Sequence, residues 1–207
     1  MVSAPALLDA KRILWAPMSE RLDLGACAAL RHAGDPTRCA VVLPGMVYPT
    51  RAPVLWFARE AAMAQGWSAL EVLGEPGEHR DPVGWQRAAA EAALAAAGAE
   101  RVLVIGKSLA TLLAGMVSDH DLPAVWLTPA LTESAVGDGL ARARRPTIVM
   151  GGSGDDFWRL DAIPDNPALE VIELPGLDHG LQIPGDPLAS LDPLRHVVDA
   201  VQRMAAN

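Results

Sequence analysis

The stretch from residue 101 to residue 116, RVLVIGKSLATLLAGM, constrains the fold of this chain more than any other. A short, wholly apolar run at residues 102–105 stops at Gly106, and Ser108 follows two residues later. Apolar residues then recur at three- and four-residue spacing as far as Met116, which is typical of a helix. The sequence therefore predicts a buried strand that turns sharply into a helix, with a serine at the bend.

The residues that flank this serine must be small, because the strand and helix backbones nearly touch at so tight a turn. Gly106 meets this requirement, and Ala110 meets it less completely, since the usual motif G-x-S-x-G reads G-K-S-L-A here. The same letters also look like the end of a phosphate-binding P-loop, G-x-x-x-x-G-K-S/T. Arg101 stands where that motif needs its first glycine, and a strand replaces the phosphate loop, so nucleotide binding is not supported.

The composition excludes several classes of protein. The chain has 207 residues, 51% of them apolar, which is enough for a single domain over residues 1–207 with one core. A formal net charge of −8 argues against a nucleic-acid partner or an anionic membrane, because both call for a basic face. There is no signal-peptide pattern and no apolar run near the roughly 18 residues of a spanning helix. We therefore expect a soluble cytoplasmic protein in which Cys27 and Cys39 are reduced thiols.

Predicted strands and helices alternate from about residue 40 to the end of the sequence. This pattern predicts an α/β fold with a mostly parallel sheet and helices on both faces. The first forty residues are less legible, and their role stays open. The connection between Pro129 and Arg145 has room for one helix, so no cap domain is expected. The predicted strands cover residues 13–16, 26–31, 40–43, 70–73, 102–105, 124–127, 147–150 and 169–174, and the predicted helices cover residues 53–65, 85–97, 131–142 and 188–204, besides the one after Ser108.

Three candidates for nucleophilic catalysis follow one another along the chain. A serine hydroxyl needs a base within hydrogen-bond reach, and the base needs a partner that holds its tautomer. After Ser108, the strand at residues 147–150 runs into G-G-S-G-D-D, which offers Asp155 and Asp156, and the next strand runs into P-G-L-D-H-G, which holds His179. Sites in open α/β sheets form at these carboxyl ends of strands. We predict Ser108 as nucleophile, His179 as base and Asp155 as the orienting acid, with Asp156 as the alternative acid.

Backbone donors for a developing oxyanion are predicted on two segments. One is the N–H of Leu109, directly after the nucleophile, and the other is the N–H of Met46 in the loop P-G-M-V-Y. Gly45 allows this loop to approach the reacting atoms closely, although Pro44-Gly45 is equally compatible with an ordinary turn.

The remaining candidates concern the pocket around these loops. Gly45, Tyr48 and Trp158 are assigned to substrate binding, although structural packing explains Tyr48 and Trp158 equally well. Lys107 is expected to form a salt bridge rather than to take part in catalysis. We expect no cofactor and no metal.

Together these residues resemble the α/β-hydrolase superfamily, and they look most like its small capless members, the dienelactone-hydrolase-like and related short serine hydrolases. The resemblance covers residues 40–207 well and the first forty residues poorly. It implies a sheet of about eight strands, a triad of Ser108, Asp155 and His179, and an oxyanion hole formed by Met46 and Leu109.

The resemblance implies a carboxylesterase- or thioesterase-like serine hydrolase that acts on an ester, thioester or lactone of a small acyl substrate. Two alternatives stay open, because this fold also hosts other functions. One is a non-catalytic scaffold that acts as a binding module, and the other is a lyase or cyclase that reuses the triad. The sequence specifies neither the acyl group nor the oligomeric state.

Overall fold

The computed structural model describes residues 19–206, and an eight-stranded sheet forms the central layer of this part of the chain. In chain order, the strands are β1 (Ser19–Asp23), β2 (Ala28–His32), β3 (Asp35–Leu43), β4 (Trp67–Leu73), β5 (Arg101–Lys107), β6 (Ala124–Leu127), β7 (Thr147–Gly152) and β8 (Leu169–Leu174). Their order across the sheet is β1-β2-β4-β3-β5-β6-β7-β8. The pairs from β4 to β8 are parallel, whereas β2 pairs antiparallel with both β1 and β4.

Helices cover both faces of the sheet, as the sequence predicted. They are α1 (Pro53–Ala64), α2 (Pro82–Ala97), α3 (Ala114–Asp119), α4 (Ser134–Ala141) and α5 (Asp192–Ala206). Helices α1 and α5 pack on one face, and the other three pack on the opposite face. Because the central strands are buried on both faces, their apolar residues run without alternation. Val41 points into one of the two cores and Val42 into the other.

The observed elements differ from the predicted ones mainly at their ends. Strand β3 begins at Asp35 rather than at residue 40. Its first half is polar, so the apolar pattern marked only the buried second half. Helix α2 begins at Pro82, where the Asp81 side chain accepts a hydrogen bond from the N–H of Gly84 at 2.9 Å and caps the first turn. Helix α4 is shorter than predicted, and the early strand expected at residues 26–31 is β2. The strand predicted at residues 13–16 lies outside the described residues.

The carboxyl edge of the parallel strands is open and collects the loops that matter for function. The connection from β6 to β7 holds α4 and no inserted domain. The loops that follow β3, β5, β7 and β8 therefore meet at one uncapped edge. Across residues 19–206, no helix has the length and apolar character needed to cross a membrane. Cys27 and Cys39 are buried free thiols, and burial, with a smaller contribution from Asp23, raises the pKa of Cys27 to about 11.

Candidate active site

Ser108 lies at the sharp turn between β5 and a 3-10 helix (Ser108–Leu113) that leads into α3. Its φ of +53° falls in the left-handed region that residues other than glycine rarely adopt. A Cβ at Gly106 would lie 2.6 Å from the Trp126 ring and 3.0 Å from the Ala110 Cβ, so glycine is required there. The Ala110 methyl group is fully buried. The tight turn therefore forms with alanine in place of the second glycine of the motif.

The structure brings the serine, the histidine and one aspartate into a single hydrogen-bonded chain. His179 Nε2 lies 2.8 Å from Ser108 Oγ, and His179 Nδ1 lies 2.7 Å from Asp155 Oδ2. The Asp155 side chain is 0% exposed, whereas the His179 side chain is 33% exposed. Asp156 is exposed and contacts neither partner. Of the two candidate acids, Asp155 is the one next to the imidazole.

The acid is held by its own loop, which also fixes the tautomer of the histidine. Asp155 Oδ1 accepts a hydrogen bond from the N–H of Phe157 at 2.9 Å, which leaves Oδ2 for the imidazole. Because a carboxylate only accepts hydrogen bonds, we assign the ring proton of His179 to Nδ1. Nε2 is then free to accept the proton of the Ser108 hydroxyl. The Phe157 ring packs at 4.8 Å from the imidazole and limits its rotation.

Backbone hydrogen bonds join the acid loop and the histidine loop. The N–H groups of Ser153 and Gly154 donate to Leu174 O and Leu177 O, each at 3.0 Å. Ser153 Oγ accepts from the N–H of Gly176 at 2.8 Å. Ser153 is therefore a link between the two loops and not a second nucleophile. These bonds explain why two loops after neighbouring strands place their side chains within hydrogen-bond distance.

The predicted oxyanion loop, residues 44–50, lies against the nucleophile. A Cβ at Gly45 would lie 3.3 Å from Ser108 Cβ, which confirms that this loop approaches closely. The N–H of Gly45 donates to Tyr48 O at 2.9 Å, and Met46 O accepts from the N–H of Gly77 at 2.8 Å. In the described part of the chain, the N–H of Met46 has no acceptor. The N–H of Leu109 lies in the first turn of a helix, where it also lacks an intrahelical partner.

Lys107 does not form the expected salt bridge with any described residue. Its Nζ donates to Thr128 Oγ1 and to the backbone oxygen of His179, both at 2.7 Å, and lies 4.5 Å from the centre of the Tyr48 ring. The side chain is buried because β5 is central and covered on both faces. Burial lowers the pKa of Lys107 to about 8, although the charges of Asp155 and Asp178 act in the opposite direction.

The two predicted pocket aromatics have different environments. Trp158 is buried, its Nε1 donates to Glu173 Oε2 at 2.6 Å, and its ring covers Gly151 so closely that a Cβ there would lie 2.1 Å away. Packing accounts for the buried ring, and its assignment to substrate binding stays a prediction. Tyr48 is half-buried, and its hydroxyl accepts from the N–H of Val54 at 3.1 Å, at the start of α1.

A cavity of about 420 Å³ opens beside Tyr48. Its walls are mostly apolar and come from the start of α1, the start of α5 and the loop that follows His179. Neither Ser108 nor His179 lines it, but Gly180 and Leu181, directly after the histidine, do. The main lining side chains are Tyr48, Val54, Phe57, Leu181, Ile183 and Leu194.

Several residues that support the site had no signal in the sequence motifs. Gln86 is fully buried on α2, and its Nε2 donates to Pro44 O at 3.1 Å at the root of the oxyanion loop. Thr111 Oγ1 donates to Ser108 O at 2.6 Å and accepts from the N–H of Ala130 at 3.1 Å. Thr128 has a φ of +42°, and its hydroxyl oxygen accepts a hydrogen bond from the Lys107 ammonium group. A polar residue in an otherwise apolar run was the available hint for Thr111, whereas Gln86, next to Arg87, had none.

No group of three or more His, Cys, Asp or Glu residues within positions 19–206 has an arrangement that could hold a metal ion.

No protein-family model matches this sequence, and no curated protein matches it. Solved structures are similar in fold. Dienelactone hydrolase from Anabaena variabilis is 14% identical with a TM-score of 0.66 over 89% of this chain and 94% of that one. An α/β serine hydrolase without a lid from Xanthomonas campestris is 13% identical with a TM-score of 0.64 over 89% and 91%. Est1E from Butyrivibrio proteoclasticus is 12% identical with a TM-score of 0.65 over 90% and 96%.

At these identities the likeness concerns the fold. The chain has the α/β-hydrolase fold without a cap, as the resemblance implied, and it shares this scaffold with α/β serine hydrolases.

Proposed function

We propose that this protein is a serine hydrolase that cleaves an ester, thioester or lactone bond in a small acyl substrate. The observation that carries the proposal is the continuous chain of hydrogen bonds from Asp155 through His179 to Ser108, at 2.7 and 2.8 Å. A buried acid, a partly exposed base and a serine on a strained turn are the arrangement that nucleophilic acyl transfer needs.

In the proposed mechanism, Ser108 Oγ attacks the acyl carbon while His179 Nε2 takes the hydroxyl proton. Asp155 holds the imidazole in the correct tautomer and stabilises the imidazolium that forms. The imidazolium then gives its proton to the leaving alcohol or thiol, and the carbon–heteroatom bond of the substrate breaks. Water, deprotonated by the same imidazole, releases the acid from Ser108 and restores the free enzyme.

The negative charge of the tetrahedral intermediate is assigned to the N–H groups of Met46 and Leu109. Gly45 supports this assignment because the loop comes within van der Waals contact of Ser108. Loss of one such donor raises the barrier by about 2.7–4 kcal/mol in other serine hydrolases. Three hydrogen bonds hold this loop in place. Gln86 Nε2 donates to Pro44 O, the N–H of Gly77 donates to Met46 O, and Thr50 Oγ1 donates to Glu71 Oε1.

We assign the apolar part of the substrate to the cavity beside Tyr48. Its volume of about 420 Å³ lies in the range of small-ligand sites. The net charge of −8 is consistent with a neutral substrate and with no nucleic-acid or membrane partner. We place the protein in the cytoplasm on the basis of its free, buried thiols.

The proposal is tested with a panel of p-nitrophenyl esters of increasing acyl length, together with thioesters and lactones. We expect turnover of at least one class, and we expect Ser108→Ala to lower its rate by about 10⁴–10⁶ with an unchanged circular dichroism spectrum. Ser118→Ala is the matched control, because Ser118 is a buried serine on α3 outside the site. Equal rates for the wild type and Ser108→Ala would contradict the proposal.

A further inference from the structure

Lys107 is the last residue of β5 and a buried cation directly before the proposed nucleophile. Its side chain is 1% exposed, and no carboxylate among the described residues is close enough to form an ion pair with it. Burying an ammonium group without such a partner is unfavourable. A methionine would fill the same space without this penalty, so packing alone does not explain the lysine.

The three contacts of the Lys107 ammonium lie on three different segments of the site. One is the backbone oxygen of His179 itself, one is Thr128 Oγ1 at the end of β6, and one is the face of the Tyr48 ring in the oxyanion loop. The fourth segment is β5 itself, which ends at Lys107 and leads directly into Ser108. One side chain thus connects every segment that supplies the nucleophile, the base and the oxyanion loop.

We propose that Lys107 is a positioning residue that fixes the His179 loop and the Tyr48 loop relative to Ser108. This inference rests on the proposed hydrolase function. Thr128 shares the role, because its backbone is strained and its hydroxyl has the ammonium group as partner. The N–H of Thr128 is anchored to Met150 O at 2.7 Å, so the acceptor is held in place.

The charge state of Lys107 follows from the groups that face it. Asp155 on the loop after β7 and Asp178 on the loop after β8 favour the ammonium form. Tyr48 faces it from the oxyanion loop, and burial raises the pKa of the Tyr48 phenol, which is therefore neutral. Burial is the larger influence on the amine and brings the pKa of Lys107 to about 8. The ammonium form is thus present at neutral pH and is lost in mildly alkaline solution.

One effect on the pH–rate profile follows. Above about pH 8 the ammonium becomes a neutral amine, its charge-assisted hydrogen bonds weaken, and the rate of the wild type should fall.

The test compares Lys107→Met, Thr128→Val and the control Ser118→Ala. Lys107→Met should lower kcat about 10- to 100-fold with little change in KM, since misplacement of catalytic groups by about 1 Å has effects of this size. Its profile should lack the alkaline fall. Thr128→Val removes an acceptor that stabilises the ammonium, so its alkaline fall should occur at lower pH than in the wild type. Ser118→Ala should reproduce the wild-type profile.

A wild-type rate and alkaline limb in Lys107→Met, or a wild-type alkaline limb in Thr128→Val if the first variant does not fold, would overturn the inference while leaving the hydrolase proposal intact. If the wild type hydrolyses nothing, the hydrolase proposal fails, and backbone hydrogen exchange decides the inference separately. Faster exchange of the N–H groups in the His179 loop of Lys107→Met than of Ser118→Ala would support the positioning role, and equal exchange would overturn it.

Discussion

Two buried polar clusters lie on this sheet, and they differ in how completely their charges are paired. The paired cluster surrounds Glu71 on β4: Oε1 accepts from Thr50 at 2.9 Å, and Oε2 accepts from His32 at 2.9 Å and from Arg59. The site cluster, formed by Ser108, Asp155, His179 and Lys107, has an ammonium group without an adjacent carboxylate and a histidine that is partly exposed. Both clusters contain a fully buried carboxylate.

The difference lies in where each chain of hydrogen bonds ends. Every partner of Glu71 is a donor that belongs to the fold, and together they join α1, β2 and the oxyanion loop to β4. Burial raises the pKa of Glu71, but the hydrogen bond from His32 and the charge of Arg59 outweigh it and hold the pKa below its usual value. The chain from Asp155 instead ends at the Ser108 hydroxyl, which faces the uncapped edge. We therefore assign Glu71 a structural role, because all of its partners are internal. The role proposed for Asp155 is catalytic, because the last group in its chain of hydrogen bonds can reach a substrate.

The two clusters should differ most in how far kcat falls when the carboxylate of each is neutralised. Asp155→Asn should lower kcat about 10⁴-fold, because the amide favours the wrong tautomer of His179. Glu71→Gln should leave kcat within about tenfold of the wild type, since Glu71 acts on the oxyanion loop only through Thr50. Ester hydrolysis by both variants checks this. Equal losses in the two variants would show that the clusters are not distinct in function.

The second difference concerns stability. Glu71→Gln should lower the free energy of unfolding by about 1–3 kcal/mol, because Arg59 loses its buried carboxylate partner and keeps only the more exposed Glu60, at 2.8 Å. Because the folded pKa of Glu71 is lowered, its contribution is present above the usual value of 4.5 and is lost as the pH falls through the folded pKa. Urea unfolding between pH 3 and pH 7 measures this, with Asp119→Asn in the exposed pair with Arg142 as the control. A loss no larger than that of the control would contradict the structural role.

A third prediction concerns the cost of the unpaired cation. The pKa of Lys107 falls from 10.5 to about 8 in the folded protein, so between these pH values the unfolded chain binds more protons. The free energy of unfolding of the wild type should therefore rise with pH relative to Lys107→Met, by up to about 3 kcal/mol between pH 8 and pH 10.5. If the free energies of unfolding of the two proteins changed equally with pH across this range, Lys107 would not be buried as a cation.

The smallest expected effect is at the second small residue of the turn. Ala110→Gly restores the usual motif, but Ala110 already fits beside Gly106. We expect no gain in rate and a loss of about 0.5–1 kcal/mol in the free energy of unfolding, from the added backbone freedom. Thermal unfolding and the ester assay check both parts. A large gain in rate would show that the alanine distorts the oxyanion geometry.

Much of the fold was predictable because the central strands are buried on both faces and read as continuous apolar runs. The convergence of Ser108, Asp155 and His179 was predictable because each follows a predicted strand at the carboxyl edge, although the strand before His179, L-E-V-I-E-L, is not a continuous apolar run. Strand ends were less accurate: the polar first half of β3 forms strand through backbone pairing, which side-chain patterns do not report.

The environments of single side chains were the least predictable feature. A tryptophan in a polar loop reads the same whether it lines a pocket or covers a glycine, so the packing of Trp158 on Gly151 could not be foreseen. Lys107 was expected in a salt bridge, because nothing in the letters G-K-S shows that its neighbours are oxygens of Thr128 and His179. Glu71 within S-A-L-E-V-L was a visible signal of a buried pair, but its partners come from distant segments.

The most direct test of the account is whether Ser108 is an activated nucleophile. A fluorophosphonate probe reacts with such a serine, and intact-mass measurement followed by peptide mapping locates the adduct. We expect one adduct on Ser108 in the wild type and in Glu71→Gln, and none in Ser108→Ala or His179→Ala. An unlabelled wild-type protein, or an adduct on another serine, would contradict the claim and favour a scaffold without catalytic activity.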